Sequence, residues 1–233
     1  MFVESFYRFP TTPYLIKPST KTSRLDKILT EEEADLFFTK NVTVEEKIDG
    51  ANLGISFQKD GEIRLQNRGH CLTEPFLGQW VPLTRWLQCK IECLFDILLD
   101  KYILFGEWCY AKHSIYYSCL PDWFIAFDLY DKESKRFLSV KKRNSIIAKS
   151  GLAIVPILFE GHFSKNMLNG FCGKSAFGET NREGLYFRID SKDYLLYRAK
   201  YVQPCFTQSI DTHWSKKSLI HNQISSRNFK STL

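Results

Sequence analysis

The stretch Thr43-Val44-Glu45-Glu46-Lys47-Ile48-Asp49-Gly50-Ala51-Asn52 decides how the rest of the chain is read. Val44, with Val42 and Ile48 beside it, favours a strand through Lys47, and side chains on a strand alternate between its faces. Lys47 and Asp49 then point the same way, roughly 7 Å apart at the rise of a strand. Gly50 lets the chain turn and come close to a ligand. Asn52 adds an amide that both donates and accepts. A lysine so placed can serve as a nucleophile at the base of a nucleotide pocket. The same residues also suit a plain strand that ends in an Asp-Gly turn.

Upstream of this stretch, Pro10, Pro13 and Pro18 keep residues 1–20 from forming a helix. A short helix is expected from Leu25 to Phe38, with Thr30 as its N-cap and Glu31-Glu32-Glu33 near its positive end. Downstream, 53–57 and 63–66 flank the turn Lys59-Asp60-Gly61-Glu62, which predicts a hairpin running into Asn67-Arg68-Gly69. From Leu83 to Leu99 apolar residues recur at three- and four-residue steps, so an amphipathic helix is expected, its tryptophans serving the core. Strands are expected over 102–110, 123–130, 154–159 and 183–200, the last broken by a turn at Asp190-Ser191-Lys192. Ser139 to Ser150 reads as a helix stopped by Gly151, with Lys141-Lys142-Arg143 as a solvated face. Residues 161–181 read as loop with a short helix, and Gln203 to Leu219 as a further helix before a polar tail.

The chain has 233 residues, room for one large domain or two small ones, and enough apolar side chains for a real core. Its net charge of +6 favours a polyanionic partner only mildly. No apolar run approaches the roughly 18 residues of a membrane span, and the N-terminus shows no secretory pattern. The seven cysteines include no Cys-x-x-Cys pair, and Cys89, Cys93 and His70 fit no zinc spacing. Reduced thiols in an intracellular protein, of cytoplasm or nucleus, are expected.

Lys47-Ile48-Asp49-Gly50 resembles motif I, Lys-x-Asp-Gly, of the covalent nucleotidyltransferases: DNA ligases, RNA ligases and mRNA capping enzymes. Asn52 makes the match more similar to RNA ligases of the nick-sealing, double-strand type, since the other two groups usually carry arginine there. Five further elements follow in the family's order. Arg68-Gly69 resembles motif Ia, which works near the nucleotide sugar. Phe105-Gly106-Glu107 resembles motif III, whose glutamate accepts from the ribose hydroxyls. Phe127-Asp128 resembles motif IIIa, whose aromatic stacks on adenine. Glu183-Gly184 resembles motif IV, whose glutamate serves the divalent metal, with Arg188 in reach of a phosphate. Arg198-Ala199-Lys200 resembles motif V, Lys-x-Lys, with arginine in the first place and both cations expected to face the α-phosphate.

The resemblance covers residues 40–202 and implies an α+β, ATP-grasp-like nucleotidyltransferase domain, its two antiparallel sheets flanking the nucleotide. It divides the chain into an N-terminal segment and helix (1–40), the catalytic domain (41–202) and a short basic tail (203–233), with no OB-fold. Lys47, Glu183, Arg198 and Lys200 are the implied catalytic residues. Glu46, Asp49, Gly50, Asn52, Arg68, Glu107, Phe127 and Arg188 join them in binding the nucleotide, and Glu183 serves the metal. The implied reaction uses ATP and Mg²⁺ or Mn²⁺. Lys47 takes up AMP, the AMP passes to an RNA 5′-phosphate, and a 3′-hydroxyl then closes the strand. Burial, the nearby cations Arg198 and Lys200, and the metal are expected to lower the lysine pKa. The implied partners are RNA ends and separate end-healing enzymes, with the protein a monomer. The alternatives are a DNA ligase, a GTP-using capping enzyme, or a protein that binds nucleotide or nucleic acid without sealing it.

Overall fold

The computed structural model describes residues 6–17, 27–204, 206 and 219–225; the helix expected from Gln203 to Leu219 and the tail beyond it fall largely outside them. In chain order the elements are α1 (Glu31–Thr39), β1 (Asn41–Lys47), β2 (Ala51–Phe57), β3 (Ile63–Gln66), β4 (Cys71–Leu72), α2 (Leu83–Leu98), β5 (Tyr102–Trp108) and β6 (Phe124–Asp131). There follow β7 (Arg136–Phe137), α3 (Val140–Ile147), β8 (Ala153–Ile154), β9 (Ile157–His162), β10 (Gly184–Asp190) and β11 (Leu195–Val202).

The strands form two sheets of an α+β fold. A four-stranded antiparallel sheet runs β11-β10-β1-β9, and a seven-stranded sheet runs β4-β3-β2-β5-β6-β7 with β8 added parallel to β6. The chain crosses from the smaller sheet to the larger at Ile48-Asp49-Gly50, between β1 and β2. A side chain at Gly50 would meet the Trp108 carbonyl at 2.9 Å, so the crossing needs a glycine. The strand therefore ends at Lys47, and Asp49 does not continue its face as the spacing predicts. The return crossing splits the strand expected over 154–159. Ala153–Ile154 pairs with β6 while Ile157–His162 pairs with β1. Pro156 lies at the break, where its missing N–H disturbs no ladder.

The helix expected from Leu25 starts instead at Glu31, behind a complete capping box on Thr30. Lys27 to Leu29 is diverted by the N-terminal segment, where Tyr14 N donates to Lys27 O at 2.8 Å and Leu29 N to Tyr14 O at 3.0 Å. α2 packs Trp86, Leu94 and Leu98 against Leu53, Leu104 and Trp108 of the large sheet. The buried indoles keep their donors satisfied, Trp86 by Asp122 and Trp108 by the Gln79 carbonyl. A second core forms around Phe37, Val44, Phe163 and Phe187 on the small sheet. Among the described residues no helix is long and apolar enough to cross a membrane.

Candidate active site

The polar side chains of the nucleotide motif meet where β1 ends. Lys47 faces Gly184 across the β1–β10 ladder, so Glu183 sits beside it, and Lys47 Nζ donates to Glu183 Oε2 at 2.5 Å. A Cβ at 184 would run into the Tyr201 carbonyl, which makes glycine the residue that lets β10 start this close to β11. Burial pushes the Lys47 ammonium toward a lower pKa, but the carboxylates of Glu183, Glu107 and Asp49 outweigh it and hold the pKa above its ordinary value. Burial raises the Glu183 carboxyl against the pull of Lys47 and Lys200, with Asp49 adding to the rise. The sequence reading expects a depressed lysine pKa. Among the protein's own groups the balance goes the other way, because the carboxylates of Glu183, Glu107 and Asp49 outweigh burial.

Across the cleft, Asn52 of β2 faces Glu107 of β5 in the large sheet. Both polar atoms of the Asn52 amide and Glu107 Oε2 are buried without a hydrogen-bond partner. Such atoms are rare in folded proteins because each forfeits its hydration for nothing. Burial drives the Glu107 carboxyl up to about 8, while Lys47 and Arg68 pull it down. Arg68 stands exposed in the turn after β3, which Asn67 Oδ1 shapes by accepting from Gly69 N at 2.8 Å and His70 N at 2.9 Å. A register shift between Phe105 and Gly106 falls opposite Phe127, the one half-buried residue in a strand otherwise buried. Bulges of this kind re-aim a side chain, and Phe127 keeps an open ring surface.

The remaining expected residues have these partners. Glu46 points away from Lys47 and accepts from Ser175 Oγ at 2.5 Å and Ala176 N at 2.9 Å, holding the loop that leads to Glu183. Asp49 Oδ2 accepts from Ser114 N at 2.7 Å and Ile115 N at 2.8 Å, and Asp49 N donates to the Tyr117 hydroxyl at 2.8 Å. Arg188, expected to reach a phosphate, is wholly buried and paired with Asp128, with Nη2 donating to Leu138 O at 2.9 Å. Arg198 lies directly opposite Arg188 on β11, and its Nη1 donates to the other Asp128 oxygen at 3.1 Å. Its guanidinium is stacked over the rings of Phe9 and Phe137, so it is committed to this cluster. Lys200 lies 4.2 Å over the Tyr14 ring and also acts on Glu183.

Sequence reasoning missed the other half of this ionic structure. Arg143, taken as part of a solvated basic face, has no exposed surface; Nη2 donates to Glu45 Oε1 at 2.5 Å and Nη1 donates to the Phe127 carbonyl. The readable signals were Asp128 inside an otherwise apolar strand and Glu45 on a β-branched one, since a buried carboxylate requires a cation. No group of three or more His, Cys, Asp or Glu side chains able to hold a metal occurs among the described residues.

A family model described as RNA ligase matches residues 40–202. The chain belongs to the RNA ligase family. Its fold is also similar to solved structures of an RNA ligase from Naegleria gruberi. The form solved with pyrophosphate is 21% identical, with a TM-score of 0.57 over 89% of this chain and 60% of that one. A lysine-to-alanine variant solved with ATP and Mn is 20% identical, with a TM-score of 0.58 over 86% of this chain and 59% of that one. A second such variant with ATP and Mn covers 75% of this family member and 52% of the ligase, at 20% identity and a TM-score of 0.56. This RNA ligase family member therefore spans about half to three-fifths of the length of the structures it resembles. No curated protein sequence matches it at a significant level.

Proposed function

We propose that the chain is the nucleotide-binding catalytic module of an ATP-dependent RNA ligase. In this reading Lys47 takes up AMP, passes it to an RNA 5′-phosphate, and a 3′-hydroxyl then closes the strand with release of AMP. The observation that carries it is the Lys47–Glu183 pair opposite Asn52 and Glu107, whose unpartnered atoms await hydrogen-bonding groups that the protein does not supply. Ribose hydroxyls fit the Glu107 carboxylate, which accepts from both, and the half-buried ring of Phe127 suits a purine face.

In the first step Lys47 Nζ attacks the α-phosphorus, the bond to the bridging oxygen breaks, and pyrophosphate leaves with the electron pair. The amine must first lose a proton. Glu183 accepts from Lys47 Nζ and favours its protonated form, so the pair opposes that loss. Glu183 is the residue that would hold a divalent cation, with phosphate oxygens and water as its other ligands. Such a cation, Mg²⁺ or Mn²⁺, would supply positive charge beside Glu183 and the phosphates. Lys200 adds charge from β11, while Arg198 acts from one remove by fixing Asp128 and, through it, the strand of Phe127. The Naegleria gruberi ligase structures with ATP and Mn, with AMP and Mn, and with pyrophosphate support this ligand set.

RNA as substrate rests on the family and on Asn52. Ends of other chemistry would first need separate end-healing enzymes. The deciding experiment incubates the protein with α-labelled ATP, GTP or NAD⁺ and Mg²⁺, followed by a denaturing gel. Acid-labile label from ATP, transferred to nicked or single-stranded RNA with a 5′-phosphate, is the expected result. Label from GTP would point to capping, sealing of DNA alone would point to a DNA ligase, and no label with an unmodified Lys47 by mass spectrometry would leave only a binding protein.

A further inference from the structure

The segment Leu219–Ser225 lies beyond the residues that the family model matches, yet it packs against the loop that holds Asp49. Lys112 N donates to Ile220 O at 2.8 Å, Asn222 N to Tyr110 O at 3.0 Å, Gln223 N to Tyr117 O at 2.9 Å and Leu120 N to Gln223 O at 2.9 Å. The segment thus runs along the loop from Tyr110 to Leu120 as an added edge. At its centre Asn222 is 3% exposed and satisfies three backbone groups at once. Its Oδ1 accepts from Tyr117 N at 2.9 Å, and its Nδ2 donates to Cys109 O at 2.8 Å and Ala111 O at 3.2 Å. The same loop also holds Asp49, with Ser114 N and Ile115 N donating to its Oδ2 and the Tyr117 hydroxyl accepting from its N–H.

We infer that Asn222 is a positioning residue for adenylylation, clasping the Tyr110–Leu120 loop so that it fixes Asp49 beside Lys47. The inference rests on the ligase reading, because it assigns Asp49 a part in that step. Two links carry it, from Asn222 to the loop and from the loop to Asp49, and each consists of at least three hydrogen bonds. The loop's other flank rests on Phe177, whose carbonyl accepts from Ser118 N and Cys119 N at 3.1 Å, so losing the clasp loosens the loop without releasing it. No other residue type reproduces the arrangement. Aspartate keeps the shape and the acceptor but turns an anion on the Cys109 and Ala111 carbonyls, and alanine leaves all three backbone groups buried and unpaired.

The test uses the full-length chain as wild type, Asn222→Ala and Asn222→Asp. Phe37→Leu in the distant small-sheet core serves as a control for loss of stability alone. Three quantities are read well below every unfolding midpoint: the rate of Lys47 adenylylation at saturating ATP, its dependence on ATP concentration, and hydrogen exchange at Ser114 and Ile115. Both Asn222 variants should adenylylate about tenfold more slowly or worse, as expected when a buried hydrogen-bond set is broken, with a smaller change in apparent ATP affinity. Exchange at Ser114 and Ile115 should speed by a similar factor while the β2 amides stay protected. In an Asp49→Asn background, Asn222→Ala should add little, because both changes act on one link. Variants that melt earlier but adenylylate and exchange at these amides like wild type, as Phe37→Leu should, would overturn the inference. Full additivity with Asp49→Asn would overturn it too. If wild type takes no label at all, it is the ligase reading that fails, and exchange at Ser114 and Ile115 still decides whether the clasp exists.

Discussion

Two buried polar clusters bridge the sheets, and they are built on opposite terms. In the first, Asp128 of the large sheet takes Arg188 and Arg198 of the small one, and Glu45 of the small sheet takes Arg143, which also holds the Phe127 carbonyl. Nearly every charged atom there has a partner within the protein; Arg188 Nε and Asp190 Oδ1 miss each other only slightly, at 3.7 Å. In the second, Asp49, Glu107 and Glu183 crowd Lys47, and Asn52 and Glu107 keep buried atoms that nothing answers. A closed cluster fixes geometry. The open one, more exposed at Lys47, keeps buried atoms that the protein's own groups do not answer. The paired arginines expected from sequence to reach phosphate belong to the closed cluster.

The sharpest break between the two is Lys47→Ala. It should abolish covalent labelling from ATP altogether while lowering the denaturant midpoint less than Asp128→Ala does, because burial already raises the Glu183 carboxyl and the stranded group can take up a proton. A variant that still labelled would remove Lys47 from the chemistry. Asp128→Ala should do the reverse. It strands two buried guanidinium groups, and removing one partner of a buried ion pair costs about 3–5 kcal/mol. Urea unfolding measures this directly, and a loss below about 1 kcal/mol would mean that water or rearranged carbonyls replace the carboxylate.

The sequence made the fold class and the order of strands legible, because alternation and turn residues are local signals. β5, β6, β10 and β11 lie where the apolar runs predict them to within a few residues. What it hid was which strand belongs to which sheet. Nothing in Ile154 to Phe159 except Pro156 announces that the chain changes sheets there, and nothing in Ile48-Asp49-Gly50 announces the earlier crossing. At the site, Lys47 pairs with Glu183 and Asn52 lies opposite Glu107. Arg188 and Arg143 were misread for one reason: a basic side chain on a strand or helix looks the same in sequence whether it faces solvent or a buried acid. Only the partners Asp128 and Glu45, distant in the chain, decide.

Glu107→Gln sharpens the comparison further. Above pH 8, where the Glu107 carboxyl is ionised, the amide keeps the size of the side chain but gives up a charged acceptor for ribose hydroxyls, and a hydrogen bond to a charged group contributes about 1.5–3 kcal/mol. Apparent ATP affinity should therefore fall by at least about tenfold. Stability of the ligand-free protein should hold or rise, since a carboxyl that burial disfavours is removed. A loss of stability comparable with that of Asp128→Ala would place Glu107 in the closed class after all.

The smallest expected effect separates the clusters by pH. Burial raises the Glu107 carboxyl from its ordinary 4.5 to about 8. Between those values the folded protein keeps a proton that the unfolded chain has released, so stability falls as pH rises through this window and levels off above it. The Glu183 carboxyl, raised by the same burial, adds in the same direction. Lys47, held above its ordinary value, contributes stability that is lost only at more alkaline pH, outside the window. Unfolding of wild type and Glu107→Gln, measured from pH 5 to pH 9, should give curves that diverge steadily, the wild-type curve declining the more steeply. Parallel curves would mean that Glu107 is ionised in the folded protein throughout, its charge met by Lys47 and Arg68. The open cluster would then hold a standing anion, and an incoming nucleotide would meet a carboxylate already able to accept both ribose hydroxyls.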